Sequence, residues 1–209
     1  MNIALYFGSF NPIHLGHTAL AKYVLCHGGV DELWLVVSPN NPLKESSELA
    51  DEKLRLQMAK IATRSIEGVK VSDIEFGMPK PNYTINTLRT LSSHYPEHNF
   101  SLVIGSDNMR LFDRWREHEA ILRDYTVLVY PRERDDLMSL HALYPQMHIL
   151  KGAPLLQVCA TQIRKALASG SHEYDNWLDP KVREIFLRFC LHMSDKSSIF
   201  AKENKKLNL

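Results

Sequence analysis

The sequence predicts a doubly wound α/β fold built on a parallel, Rossmann-like sheet, followed by a small helical C-terminal part. Short apolar segments rich in β-branched residues recur along residues 1–150. Between them lie stretches whose apolar residues are spaced as on one face of a helix. Strands and helices that alternate at these lengths imply parallel strands joined by helical crossovers.

The elements follow one another in a regular order. Strands are predicted at Asn2–Phe7, Glu32–Val37, Val69–Ile74, Phe100–Gly105, Tyr125–Tyr130 and His148–Leu150. Helices are predicted at Leu15–Cys26, Ala50–Thr63, Thr84–His94, Phe112–Leu122, Thr161–Ala168 and Pro180–His192. We therefore expect one domain over residues 1–193, with an α/β core at 1–150 and a helical part at 151–193. Residues 194–209 are polar and are expected to form a flexible tail.

The composition excludes several classes of protein. The 209 residues are 44% hydrophobic and 23% charged, as in ordinary soluble globular proteins. A net charge of +1 argues against a nucleic-acid partner, and no apolar run is long enough to span a membrane. Three cysteines without a C-x-x-C pattern favour a reducing compartment. A strand that begins at Asn2 leaves no room for a signal peptide, so we expect a cytoplasmic protein.

The most informative segment is residues 8–17, Gly-Ser-Phe-Asn-Pro-Ile-His-Leu-Gly-His, directly after the first strand. Ligands of doubly wound sheets bind at the carboxyl ends of strands. Gly8 lets the backbone approach a ligand closely, and the helix that follows directs its N–H groups and positive dipole end toward an anion. If that helix has begun by His14, then His14 and His17 share a face and both can donate to phosphate oxygens.

Two other interpretations of the histidine pair compete with phosphate binding. Histidines at this spacing are often structural, in a core or on a surface. A metal site is the second alternative, but catalytic zinc generally needs three protein ligands. No third His, Cys or Glu stands close in sequence. Phosphate is therefore the favoured ligand.

Residues 8–17 resemble without a break the fingerprint of the nucleotidylyltransferase superfamily, G-x-F-[DN]-P-x-H-x-G-H. Four further stretches are similar, in order and spacing, to bacterial nicotinate-nucleotide adenylyltransferases: Ser38–Lys44, Asp51–Met58, Pro81–Leu88, and Ile104–Asn108 followed by Trp115. The chain is identified as a member of this family. The resemblance implies a nucleotidylyltransferase fold. It also implies adenylyl transfer from ATP to nicotinate mononucleotide in NAD biosynthesis, giving nicotinate adenine dinucleotide and pyrophosphate.

The resemblance also implies a set of contacts to the two substrates. The candidate binding residues are Gly8, Ser9, Phe10, Asn40, Lys44, Tyr83, Thr84, Gly105, Asp107, Trp115, Arg132 and Thr161. Tyr83 and Thr84 open a helix whose N–H groups suit the nicotinate carboxylate. Trp115 would stack on the pyridine ring, unless it only packs on the core. Asp107 would contact a ribose hydroxyl, unless it is a plain helix N-cap.

The last family signature is altered. Val158–Arg164 resembles the segment I-S-S-T-x-I-R, which opens a helix and grips the triphosphate. Cys159 and Ala160 replace its two serines, whereas Thr161 and Arg164 are kept. A lost neutral hydrogen bond costs about 0.5–1.5 kcal/mol, and the charge-assisted contact of an arginine is worth roughly twice as much. We therefore expect weaker ATP binding or slower turnover, with the function kept.

The expected catalytic residues are His14, His17 and Arg164, with no metal ligand in the protein. The phosphate of the mononucleotide is already ionised at neutral pH, so its attack on ATP needs no general base. Catalysis is then positioning and charge stabilisation. The histidines would donate to the phosphates, and Arg164 would hold the pyrophosphate with Thr161 and Ser9. Mg²⁺ is expected to be held mainly by the nucleotide and water.

Three alternatives stay open from the sequence. The chain could be another member of the superfamily, such as a pantetheine-phosphate adenylyltransferase or a cytidylyltransferase. It could prefer the amide, nicotinamide mononucleotide. It could be a catalytically silent nucleotide-binding module, which the altered Cys159 and Ala160 positions would suit. The oligomeric state is open as well, a homo-oligomer included.

Overall fold

A computed structural model describes residues 1–39, 49–132, 137–155 and 158–192. Within these ranges the strands form one six-stranded sheet in the order β3-β2-β1-β4-β5-β6, with every neighbouring pair parallel. The strands are β1 (Asn2–Gly8), β2 (Glu32–Val37), β3 (Val69–Ser72), β4 (Asn99–Gly105), β5 (Thr126–Tyr130) and β6 (His148–Ile149). The predicted parallel, doubly wound sheet is confirmed.

Helices cover both faces of the sheet. They are α1 (Leu15–His27), α2 (Glu52–Thr63), α3 (Thr84–His94), α4 (Ser106–Met109), α5 (His118–Asp124), α6 (Leu137–Leu143), α7 (Ala160–Ala168) and α8, which spans 180–192. Single turns of 3₁₀-helix lie at Ile74–Gly77, Phe112–Arg114 and Asp175–Trp177. The C-terminal part is helical, as predicted.

Two apolar layers sandwich the sheet. Alternate residues of a strand point to opposite faces, so Ala4 and Tyr6 enter one layer while Ile3 and Leu5 enter the other. The first layer is completed by apolar residues of α1, α2, α7 and α8, and the second by residues of α3, α4 and α5. Burial on both faces explains why the strands read as continuous apolar runs.

One predicted helix is wrong. The segment Phe112–Leu122 is a 3₁₀ turn at Phe112–Arg114 followed by a separate helix that begins at His118. Glu117 interrupts the two with a left-handed backbone, φ 51°. Glutamate rarely adopts this conformation, so the sequence pattern gave no sign of the break. As a result, Trp115 lies between the two elements instead of inside a helix.

The strand order reverses between β1 and β4, which are neighbours at the centre of the sheet. Strands β2 and β3 lie on the outer side of β1, and strands β5 and β6 lie on the outer side of β4. Ligands of open α/β sheets bind at the carboxyl ends of the strands at such a reversal. Gly8 ends β1 and Gly105 ends β4 at this point. Both glycines belong to the predicted binding residues, so the topology and the sequence motifs point to the same crevice.

Candidate active site

Phe10 shapes the loop that follows β1. It has a left-handed backbone, φ 45°, and its side chain is only 2% exposed. The ring packs edge-on against Tyr6 and His17, with centroid distances of 5.7 and 5.1 Å. A Cβ on Gly8 would lie 2.8 Å from this ring. The space that Gly8 leaves is therefore filled by Phe10, whose ring supports the site from the core instead of facing the ligand. A bulky residue in this conformation is strained, as is common at ligand sites.

His14 and His17 cap the start of α1. The helix begins at Leu15, so His14 is its N-cap and the condition that the helix has begun by His14 is not met. The two rings are nevertheless neighbours, with centroids 3.8 Å apart. Gly16 N donates to His14 Nδ1 at 3.1 Å, and His14 N donates to His17 Nδ1 at 3.2 Å. Each neutral ring then carries its hydrogen on Nε2, which makes Nε2 the donor.

Burial keeps His14 uncharged. Its side chain lies in the crevice with 6% exposure. Desolvation, and then the charge of nearby Arg132, lower the pKa of His14 to about 4. At neutral pH this ring is therefore a neutral hydrogen-bond donor.

Arg132 brings a positive charge to the end of β5. Its backbone N–H donates to Ser106 Oγ at 2.8 Å, and its side-chain Nη2 donates to the Tyr130 hydroxyl at 3.1 Å. The guanidinium carbon lies 5.1 Å from the Tyr130 ring centroid. Nε lies 3.7 Å from Asp107 Oδ1. Arg132 is thus held in place beside His14, on the ligand side of the sheet where it was predicted.

Asp107 lies across the crevice from β1, and its surroundings exclude one alternative. Gly105 is the N-cap of α4 and Asp107 is the second residue of that helix, so Asp107 is not an N-cap. A Cβ on Gly105 would overlap Asp107 Oδ1, so the glycine leaves room for the carboxylate. The side chain of Asp107 is 52% exposed. Its carboxylate is therefore accessible for a ribose hydroxyl.

Arg164 reaches the motif loop from the far end of the chain. Its Nη1 donates to the Asn11 carbonyl at 3.0 Å, and its Nη2 donates to Thr161 Oγ1 at 3.3 Å. Cys159 is the exposed N-cap of α7, and its N–H donates to Gln162 Oε1 at 2.9 Å. The start of α7 therefore lies against the loop that leads from β1 to His14 and His17.

Tyr83 and Trp115 pack against the second apolar layer, and Thr84 directly follows Tyr83. Tyr83 is the N-cap of α3, with no side-chain hydrogen bond capping the helix, and Thr84 opens it. The Arg116 guanidinium carbon lies 4.8 Å from the Tyr83 ring centroid, which brings the Trp115 segment next to the start of α3. Trp115 packs on Phe112, with centroids 5.3 Å apart, but it is only partly buried. Core packing thus leaves part of its ring accessible.

Sequence reasoning missed Arg55, which is the largest fully buried side chain among the residues that the structure describes. Its Nη1 donates to the carbonyls of Ser9 and Ser38, each at 2.7 Å, and its Nη2 donates to the Pro39 carbonyl at 2.9 Å. Its Nε donates to the Ala50 carbonyl at 2.8 Å. The buried positions of α2 are Arg55, Met58, Ala59 and Thr63. An arginine on the apolar face of a helix was therefore the signal available in the sequence.

Two predicted contacts, Asn40 and Lys44, lie outside the described residues. Among the residues that are described, no three His, Cys, Asp or Glu side chains are grouped so that they could hold a metal ion. In those same ranges, no helix combines the length and the apolar character needed to cross a membrane.

Several curated proteins are similar to this chain. A Flavobacterium johnsoniae protein named "Probable nicotinate-nucleotide adenylyltransferase" is 41% identical over 185 residues, which are 88% of this chain and 95% of that protein. A Bacteroides fragilis protein of the same name is 45% identical over 166 residues, covering 79% of this chain and 82% of its own length. Identity at this level over most of both chains indicates common descent.

A solved structure supports the fold. The Plasmodium falciparum nicotinic acid mononucleotide adenylyltransferase complexed with NaAD superposes with a TM-score of 0.77 at 19% identity, over 90% of this chain and 95% of that one. The family model described as cytidylyltransferase-like matches residues 5–166, which include both histidines and Arg164. The chain belongs to the cytidylyltransferase-like family and, within it, to the nicotinate-nucleotide adenylyltransferases.

Proposed function

We propose that this chain transfers the adenylyl group of ATP to nicotinate mononucleotide, giving nicotinate adenine dinucleotide and pyrophosphate in NAD biosynthesis. One observation carries the proposal: the His14–His17 pair, with His14 neutral, lies at the start of α1, Arg164 donates to the Asn11 carbonyl of the same loop, and Arg132 lies close enough to lower the pKa of His14. Such a group of donors is suited to a polyphosphate. Family membership supports the same reaction.

In the proposed reaction, a phosphate oxygen of the mononucleotide attacks the α-phosphorus of ATP. The bond to the bridging oxygen breaks in line, and pyrophosphate leaves with the electron pair. Because the nucleophile is already an anion, no side chain has to remove a proton. His14 and His17 donate through Nε2 to the phosphate oxygens around the reacting centre, and His17 stabilises the transition state.

Two arginines hold the charge on either side of that centre. Arg164, fixed by its bond to the Asn11 carbonyl, holds the leaving pyrophosphate with help from Thr161 and Ser9. Arg132 lies beside His14 and adds positive charge at the end of β5. Fixed donors of this kind need no reorganisation when the charge shifts, which is why they favour the transition state.

The mononucleotide subsite is proposed at the start of α3. The side chain of the N-cap residue Tyr83 does not cap the first N–H groups of this helix, which begins at Thr84. These N–H groups suit the nicotinate carboxylate. Trp115 stacks on the cationic pyridine ring. Asp107, with Gly105 leaving room for it, binds a ribose hydroxyl.

Other binding contacts rest on the resemblance. Gly8 and Phe10 set the backbone of the phosphate loop. Asn40 and Lys44 stay predicted contacts of the segment after β2. None of these four residues is proposed to take part in the chemistry, so substituting them should change substrate affinity more than kcat.

The described side chains suit a divalent metal that enters the site already bound to the nucleotide, because the protein groups nearest to it already have protein partners. His14 and His17 both use Nδ1 to accept a backbone N–H, and the accessible carboxylate of Asp107 faces Arg132. Mg²⁺, held mainly by ATP phosphate oxygens and water, would supply charge neutralisation on the triphosphate when bound.

The compartment is part of the proposal. Cys26 and Cys159 are exposed free thiols, and Cys190 is a partly buried one. Free thiols persist in reducing compartments, so we propose a cytoplasmic protein. The oligomeric state stays open, a homo-oligomer included, and the mass of the protein in solution would determine it.

The proposed reaction is tested by pyrophosphate release with ATP and a panel of acceptors. The panel contains nicotinate mononucleotide, nicotinamide mononucleotide and pantetheine phosphate, and CTP replaces ATP in a parallel series. We expect the highest kcat/KM with ATP and nicotinate mononucleotide. A higher value with the amide would contradict the proposed substrate. ATP binding without pyrophosphate release from any acceptor would support a silent binding module instead.

A further inference from the structure

Two buried ionisable side chains, Arg55 and Glu75, meet at Ser38, the first residue after β2. Arg55 Nη1 donates to the Ser38 carbonyl at 2.7 Å. Burial raises the pKa of Glu75, and the nearby Ser38 hydroxyl lowers this pKa by a smaller amount, which places that hydroxyl beside the Glu75 carboxyl group. The N–H of Ser38 donates to the Gly8 carbonyl at 2.9 Å. The backbone N–H and the carbonyl of Ser38 are therefore fixed, and its hydroxyl lies beside Glu75. This residue leads directly into the segment that carries Asn40 and Lys44.

Arg55 ties Ser38 to the phosphate loop. The same Nη1 that binds Ser38 also donates to the Ser9 carbonyl at 2.7 Å, and Nη2 binds the Pro39 carbonyl at 2.9 Å. The Nε group reaches Ala50, just before α2. One guanidinium thus joins the loop after β1 to the loop after β2, entirely through backbone carbonyls.

Glu75 ties Ser38 to the other half of the site. Its carboxylate is in a residue only 3% exposed, and Oε1 accepts the Thr87 hydroxyl at 2.8 Å. Thr87 lies near the start of α3, three residues after Thr84. Asn82 Nδ2 donates to the Glu75 carbonyl at 3.2 Å, which fixes the segment that precedes the helix. Glu75 therefore connects the loop after β2 to the proposed nicotinate subsite.

A requirement for stability alone does not account for these two residues. Burying a charge is costly, and apolar residues of similar volume often stabilise a core at least as well. The partners of Arg55 are all loop carbonyls at the carboxyl edge of the sheet, and those of Glu75 are Ser38 and Thr87. Neither side chain is among the predicted contacts to substrate. Their shared effect is to fix three segments relative to one another.

We propose that Arg55 and Glu75 are positioning residues: through Ser38 they set the distance between the phosphate loop and the start of α3. The inference rests on the proposed function, in which those two segments hold the two substrates. An error of about 1 Å in the placement of reacting groups can cost on the order of a hundredfold in rate. A loosened Ser38 should therefore reduce the rate of adenylyl transfer even where every substrate contact is kept.

The test compares two buried threonines that each lose one hydroxyl. Thr87 is fully buried and donates to Glu75, whereas Thr63 is 5% exposed and donates to the Ala59 carbonyl within α2. We expect Thr87→Val and Thr63→Val to lower the Tm by similar small amounts. Only Thr87→Val should lower kcat, by about tenfold at saturating substrates. Thr87→Ser keeps the hydroxyl and should restore kcat.

Two further variants, Arg55→Lys and Ser38→Ala, test the link through Ser38 independently. Arg55→Lys keeps the charge but loses the planar fork that binds several carbonyls, and Ser38→Ala removes only the hydroxyl beside Glu75. Both should lower kcat, and Ser38→Ala keeps the proposal testable if the lysine variant does not fold. A kcat equal to that of the wild type in either Thr87→Val or Ser38→Ala would overturn the positioning role.

The activity of the wild type distinguishes a failure of the proposed function from a failure of the positioning role. If it releases no pyrophosphate from ATP and nicotinate mononucleotide, the proposed function is contradicted. If it is active while Thr87→Val behaves as Thr63→Val does, only the positioning role is contradicted.

Discussion

His17 Nδ1 accepts the backbone N–H of His14 at 3.2 Å, and the two imidazole rings lie 3.8 Å apart. The helix start therefore fixes both rings, because His14 in turn accepts the N–H of Gly16. Both Nδ1 atoms being acceptors, the neutral rings donate from Nε2. The local chain thus determines the orientation of the proposed phosphate donors before any ligand binds.

The buried His14 should make stability depend on pH. Burial lowers its pKa to about 4 in the folded protein, from the ordinary histidine value of 6.5 that holds in the unfolded chain. Between these values the unfolded state binds the extra proton, so the free energy of unfolding falls as the pH falls from 6.5 toward 4. The loss would be about 3 kcal/mol at most.

Urea unfolding between pH 7 and pH 4.5 checks this. His14→Asn keeps an N-cap acceptor but cannot titrate in this range, and it should show a shallower loss of stability. Parallel curves for the wild type and the variant would contradict the burial of a neutral imidazole.

Trp115 should matter for the mononucleotide more than for ATP. We expect Trp115→Ala to raise the KM for nicotinate mononucleotide by about fivefold or more, since it removes a cation–π contact of roughly 1 kcal/mol. Steady-state kinetics with each substrate varied in turn measure the effect. Trp177→Ala is the matched control, because Trp177 is also partly buried but packs on the opposite layer. An unchanged KM together with a lower Tm would favour core packing as the role of Trp115.

Arg164 should act on the triphosphate. Arg164→Ala is expected to lower kcat/KM for ATP by about tenfold or more, the value of a charge-assisted hydrogen bond. Arg164→Lys should recover only part of this, because an ammonium cannot reproduce the guanidinium fork. Lys165→Ala removes the exposed neighbouring charge and should have little effect. Equal losses in the Arg164→Ala and Lys165→Ala variants would indicate a general field instead of a specific contact.

Restoring the family serines should improve ATP use. Cys159 is the N-cap of α7 and Ala160 is its first residue, so two hydroxyls there would add donors at the helix start that holds Thr161. We expect the double variant Cys159→Ser/Ala160→Ser to raise kcat/KM for ATP by about two- to tenfold, the worth of a neutral hydrogen bond or two. A decrease would show that the thiol and the methyl group suit this site better than hydroxyls do.

Much of the fold could be read from the sequence because the sheet is buried on both faces. Glu32–Val37 and Thr84–His94 are observed with the predicted bounds, and the other strand ends differ by at most two residues. The failure at Phe112–Leu122 has a physical cause. The left-handed Glu117 is stabilised by contacts of the folded chain, and no local pattern encodes it.

The site was predictable where a motif and a strand end coincide, and less so where packing decides. The motif at residues 8–17 places His14 and His17 just after β1, and the stretch Ile104–Asn108 places Gly105 at the end of β4, where the structure has them. Phe10 belongs to the same motif, yet its side chain is buried under Gly8. Arg55 stands on the apolar face of its helix, but its partners come from loops distant in sequence, so the sequence could not show what it binds.

The central claim is that the imidazole pair at the start of α1 stabilises phosphoryl transfer, and the turnover of His17→Ala tests it most directly. With ATP and nicotinate mononucleotide at saturation, kcat for dinucleotide formation should fall by about a hundredfold or more, while His27→Ala, exposed at the other end of the helix, should keep the wild-type value. A kcat for His17→Ala close to that of the wild type would contradict the account.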